Sequence, residues 1–214
     1  MSKNSKNTSD LTVRAPVNPD GKGVSDTLLD WYRVQPRGVV AKPQNQVLAE
    51  FFTSMLVLSA RFNYKPVTNA QNYLYFMDGN WMLSLIAPDQ WSQAHRLGYV
   101  GTCQLQADMT WTIEPSEQLL AEPTLSDAIA DAFDAFAQSL DTDSTLEEIL
   151  PFFVRRMPYW QRLYASGLSR SIRATVTLGD QASIKARDWQ LALPSASDGM
   201  LAAAPSPQST RSTS

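Results

Sequence analysis

The chain has one cysteine, Cys103, and one histidine, His95. A lone thiol closes no intramolecular disulfide, and one thiol with one imidazole cannot supply the nitrogen and sulfur ligands of a structural zinc site. The same scarcity limits nucleophilic catalysis. A Ser-His-Asp or Cys-His device must use His95, and its surroundings, Gln93-Ala94-His95-Arg96, hold no glycine elbow to present a nucleophile. Glycine is sparse, 9 residues against 13 prolines. Gly98-Tyr99-Val100-Gly101 lacks the further glycine of a dinucleotide fingerprint, so no phosphate-cradling loop is expected. No run approaches the ~18 consecutive apolar residues of a membrane helix. The start, Met1-Ser2-Lys3-Asn4-Ser5-Lys6, offers no apolar region for a secretory signal, so a cytoplasmic protein is expected. Neither a metal nor a cofactor is expected.

What is present is a globular composition, 43% hydrophobic, over 214 residues, a length suited to one domain. The formal charge of −3 conceals segregation: residues 46–150 hold 3 Lys/Arg against 14 Asp/Glu, whereas residues 151–214 hold 8 against 3. An acidic middle repels phosphate, which leaves nucleic-acid binding, an unlikely partner class on this balance, to the basic segment alone. Residues 1–43 and 194–214 are rich in Ser, Asn, Pro, Ala and Thr and read as tails that cannot bury enough surface to order themselves. Leu28, Leu29, Trp31 and Tyr32 are the exception, a patch that suits a short helix or a linear motif.

Between the tails the periodicity predicts a single α+β domain over 44–193. Leu48, Phe51, Phe52, Met55, Leu58 and Phe62 recur at three- and four-residue steps, as on one face of an amphipathic helix over 44–62. An antiparallel β-meander is expected next, with strands over 73–77, 81–87, 99–105 and 109–113. Asp78-Gly79 suits a two-residue hairpin turn whose positions need positive φ. That turn would set Tyr73 opposite Ser84, Leu74 opposite Leu83, Tyr75 opposite Met82 and Phe76 opposite Trp81. One face then carries Leu74, Phe76, Trp81 and Leu83 towards a core. The other carries Tyr73, Tyr75 and Met82. Alternation of Met109, Trp111 and Ile113 with Thr110 and Thr112 suggests a fourth strand with one wet face. Helices follow over 125–140, after a Thr124/Asp127 capping box, near a Ser144/Glu147 box up to Pro151, and from Pro158 to about Val176. The last carries Arg162, Arg170 and Arg173 on one side, expected to pair with the aspartates of the 125–140 helix. Residues 177–193 suit a short strand or helix.

The segment 62–115 carries Lys65-Pro66, Tyr73-Leu74-Tyr75, Leu83 to Trp91 with its Ser-x-Ile-x-Pro-x-x-Trp spacing, Leu97-Gly98, and Leu105 to Thr112 with Asp-x-Thr-Trp. In these pieces it resembles the domain of unknown function numbered 2452. The resemblance implies one fold unit over this segment and carries with it no activity, ligand or catalytic residue.

The expected function is therefore a non-catalytic binding or protein-interaction module. Its contact surface would be the aromatic sheet face, with Tyr73, Tyr75, Met82, Trp91 and Trp111 meeting an unknown protein or small-molecule partner. Two alternatives stand beside it. Asp89, Asp108 and His95 would form a hydrolase-like site if they converge at one end of the sheet. The basic helix 158–176 would contact a membrane or nucleic acid if its arginines are free.

Overall fold

The computed structural model describes residues 22–193 and residue 201, so most of what the sequence suggests for the two tails lies outside the described residues. The chain divides into two compact units, one ending at Arg33 and one starting at Val34. In the first, the Leu28 to Tyr32 patch lies in helix α1 (Lys22–Arg33), where Arg33 and Asp30 pair across one turn at 3.5 Å.

The second unit begins with α2 (Gln44–Ser59), followed by β1 (Gln71–Met77) and β2 (Asn80–Ser84). A single 3-10 turn at Pro88–Gln90 and α3 (Gln93–Leu97) lead into β3 (Tyr99–Leu105) and β4 (Trp111–Pro115). The remainder is helical: α4 (Glu117–Ala121), α5 (Pro123–Ser139), α6 (Leu146–Ile149) continued by a 3-10 turn at Leu150–Phe153, α7 (Tyr159–Leu178) and α8 (Ala186–Trp189). This is an α+β fold with a four-stranded antiparallel sheet. Val34, 1% exposed, and Lys42 are built into this unit, so its boundary falls ten residues before the expected one.

The β1–β2 hairpin has the expected register, Met77 opposite Asn80 through Tyr73 opposite Ser84. Asp78 and Gly79 take φ of 49° and 71°, the pair of positive values a two-residue turn requires to match strand twist. The strand order corrects the expected meander: it runs β2-β1-β3-β4. After β2 the chain crosses over β1 and lays β3 on β1's other edge, with a bulge at Leu74/Tyr75. Both outer edges are managed. The backbone of Arg61 bonds Trp81 and Leu83 along β2, and on β4 the Trp111 N–H donates to Ser54 Oγ at 2.9 Å.

α2 is more buried than a one-sided stripe allows. Val47, Phe51, Phe52, Thr53, Ser54 and Val57 are all enclosed, because the helix lies between the sheet and α7, with α5 on a further side. It ends at Ser59 rather than at residue 62, and Ala60 turns extended to feed the β2 edge. Burial of each Leu, Val or Phe here contributes about 1.5–3 kcal/mol against the unfolded chain. On the sheet side, Leu74, Cys103, Leu105, Trp111 and Ile113 complete the core.

The helix starts also move. α5 begins at Pro123 behind Glu122 without a side-chain cap, so the Thr124/Asp127 box is not formed. The second box is formed one residue later than expected, by Thr145 and Glu148. α7 starts directly after Pro158, as proline's fixed φ favours. Residues 177–193 become α8 and a 3-10 turn at Gln190–Ala192, with Trp189 fully buried.

Candidate functional site

Asp108 and Asp89 sit at opposite ends of β3. Seven strand residues, a rise of roughly 20 Å, separate the loop before β3 from the turn after it. The carboxylate pair expected to converge with His95 therefore does not. Asp108 is engaged in structure instead. Lys42 Nζ donates to Asp108 at 2.8 Å and to Glu50 at 2.6 Å, while Thr110 donates its N–H and its hydroxyl to Asp108 at 3.1 and 2.7 Å. Gln46 completes the group by donating to Glu50 at 2.9 Å. Burial alone would raise the Asp108 carboxyl, but the hydrogen bonds from Lys42 and Thr110 outweigh it and hold the group below its ordinary value. Burial would lower the Lys42 ammonium, and the two carboxylates reverse that and raise it. This cluster ties the 34–43 segment and α2 to the β3–β4 turn. Asp108 also caps Thr110, which is why the strand begins at Trp111 while Met109 takes φ of 70°.

At the other end, Asp89 is exposed, and Arg96 donates to the carbonyls of Pro88 and Asp89, bracing the loop. His95 stacks on Trp91 with ring centres 3.8 Å apart and shares a hydrogen bond of 2.9 Å with Ser92 Oγ. It faces no carboxylate partner of the kind a general base needs. Among the described residues, no cluster of three His, Cys, Asp or Glu side chains could hold a metal ion.

The aromatic sheet face is only partly open. The crossover from β2 to β3 passes over it, and Tyr75, 0% exposed, lies beneath Trp91 and Tyr99 with ring separations of 5.6 and 5.5 Å. Its hydroxyl donates to the Ile86 carbonyl at 2.8 Å, and burial pushes its phenol up. Trp111 points to the opposite, core face and is fully buried, which removes it from the expected contact surface. Its neighbours Thr110 and Thr112 are buried too, so the face expected to be wet is covered as far as Thr112 and opens only at Glu114. Tyr73 and Met82 are half-buried. Met82 and Trp91 do share a shallow hollow with Phe62, Leu85 and Ile86.

The arginines of α7 are largely occupied. Arg170 donates to the carbonyls of Val34 and Ser166, and Arg173 to that of Glu147. They use main-chain oxygens, not the aspartates of α5, because α7 packs on α2 with most of its surface buried. Local bonding thus takes up two of the three arginines of the expected stripe, while Arg162 stays exposed. Cys103 is fully buried and its thiol is pushed up by burial, as an inert structural cysteine requires.

The concavity the sequence did not disclose lies between α2, α5 and the 149–157 segment. It encloses about 410 Å³. Phe51, Phe52, Met55, Phe136, Phe152 and Met157 form its walls. The rings interlock, Phe51 against Phe136 at 5.3 Å and Phe51 against Phe152 at 5.8 Å, so the walls brace one another. The space exists because α5 turns Ala132, Ala135 and Ser139 towards it, three small residues on one helical face. The spacing of these small residues is present in the sequence, interleaved with the larger Ile129, Phe133 and Phe136.

No family model matches the chain, and no curated protein or solved structure is similar to it. No described helix is long and apolar enough to cross a membrane.

Proposed function

We propose that this chain is a non-catalytic binding module whose ligand is a small apolar or amphipathic molecule held in the cleft between α2, α5 and the 149–157 segment. The observation that carries the reading is a preformed concavity of about 410 Å³ walled by phenylalanine and methionine, within the range of about 300–1,000 Å³ typical of small-molecule sites. Methionine adapts to irregular apolar ligands, and the interlocked rings supply a fixed shape. The separation of Asp89 from Asp108, and the engagement of Asp108 by Lys42, favour binding over acid-base chemistry.

The test uses the neutral apolar fluorophore N-phenyl-1-naphthylamine with the full chain. Its emission rises and saturates at one equivalent with the native protein and stays near the buffer value with Ala135→Phe. Equal enhancement in both proteins would place the probe elsewhere and defeat the reading.

A second reading keeps the sheet face as a protein contact. It is favoured by Leu85 and Ile86, 59% and 44% exposed, beside Met82 and Trp91. Ile86→Asp would weaken such an association and leave the cleft unaffected.

A further inference from the structure

Among the described residues, one charged side chain lines the cleft, Arg156. Its exposed guanidinium has no hydrogen-bond or ion-pair partner among the described residues, as is true of Arg155 and Arg162 too; what sets Arg156 apart is its place at the rim of the cleft. The other polar groups at the cleft offer a ligand no proton: Ser59 and Ser139 donate their hydroxyls to the carbonyls of Leu56 and Phe136, each at 2.6 Å. An occupant therefore meets apolar walls and a single fork of donors at the rim. That combination rejects sugars and nucleotides, whose several polar groups would be buried without partners. It accepts a chain with one anionic end.

Resting on the cleft reading above, we infer that the ligand is a single-chain alkyl carboxylate, its chain among Phe51, Phe52, Met55 and Phe136 and its carboxylate paired with Arg156. The geometry of guanidinium and carboxylate is matched for paired N–H···O bonds. The volume lies towards the small end of ligand-site volumes, which suits a single chain. Charge complementarity points the same way. In a chain of net charge −3, with Asp127, Asp131 and Asp134 on α5, the only charge among the lining residues is positive.

Calorimetric titration of the full chain with octanoate, decanoate, dodecanoate and dodecan-1-ol, below their aggregation thresholds, tests this. The native protein binds one dodecanoate per chain. Affinity grows about fourfold per added methylene until the cleft is full. Dodecanoate binds about fivefold tighter than dodecanol, a preference that shrinks with added salt, as befits an ion pair at a rim. Arg156→Gln abolishes the preference and retains the alcohol; Ala135→Phe, or Ser139→Leu should the first variant misfold, loses both ligands. Equal affinity for acid and alcohol in the native protein, or a preference that survives Arg156→Gln, overturns the role of Arg156 and leaves the cleft standing. Undiminished binding of both ligands by a folded cleft-filling variant overturns the cleft itself. No binding of any of the four overturns both.

Discussion

The turn after β3 and the cleft beside α5 treat their chemistry in opposite ways. At the turn, Lys42, Glu50, Asp108 and Thr110 satisfy one another, and side-chain exposures of 10 to 12% leave little room for a ligand. At the cleft, apolar walls stand around space, and the one charge among the described lining residues has no partner among them. Asp108, one of the two carboxylates considered for acid-base work, is a structural fastening. The residues that looked like plain core border the site. Polar residues that close on each other hold a fold; an apolar wall left unfilled receives something.

The sharpest way to break this contrast is to cut the fastening. Lys42→Met leaves Glu50 and Asp108 facing each other without their cation, and should cost about 3 kcal/mol in urea unfolding, the lower end for a broken buried pair because some solvent reaches it. A loss below about 1 kcal/mol would place these groups with ordinary surface pairs. Asp78→Pro damages the framework at a second point, since φ of 49° is closed to proline; about 2 kcal/mol and a lower melting temperature are expected.

A smaller effect sharpens the contrast through pH. The Asp108 carboxyl lies below its ordinary value in the folded protein, so its contribution is present above the unfolded carboxyl range and is lost as pH falls through the lower folded value. The Lys42 ammonium lies above its ordinary value, so its contribution is complete below the unfolded lysine range and lost as pH rises through the higher folded one. Asp108→Asn should therefore cost about 1 kcal/mol near neutrality, with the difference from the native protein shrinking below about pH 5. A difference that grew on acidification would contradict the assigned direction. The smallest change belongs to the cleft. Ala135 is exposed on its wall, and Ala135→Phe should shift unfolding by no more than about 0.5 kcal/mol, as checked by urea titration.

Much of this framework can be read without coordinates. Asp78-Gly79 set the hairpin register residue for residue, because a two-residue turn leaves one pairing. β3 and the start of α7 were equally plain, one from its apolar run and one from Pro158. Strand order was not, since alternation tells which face a side chain takes and nothing of which neighbour its strand pairs with. The position of β3 beside β1 then decided the fate of Tyr75, buried by the crossover that this order demands. Trp111 was assigned to contact although its alternation with Thr110 and Thr112 is compatible with burial on both faces. The cleft was least legible. A periodic pattern reports where large apolar residues lie, and the site depends on where Ala132, Ala135 and Ser139 fail to fill space between helices distant in sequence.

The most direct test places a reporter in each competing region. Met55 and Met157 line the cleft, Met82 lies in the hollow on the sheet face, and Met109 is in the core beside Gly167. Carbon-13 methyl-methionine spectra recorded during titration with dodecanoate should show saturable shifts at Met55 and Met157, with Met82 and Met109 unmoved. Shifts led by Met82, with Met55 and Met157 silent, would contradict the assignment of the ligand site to the cleft.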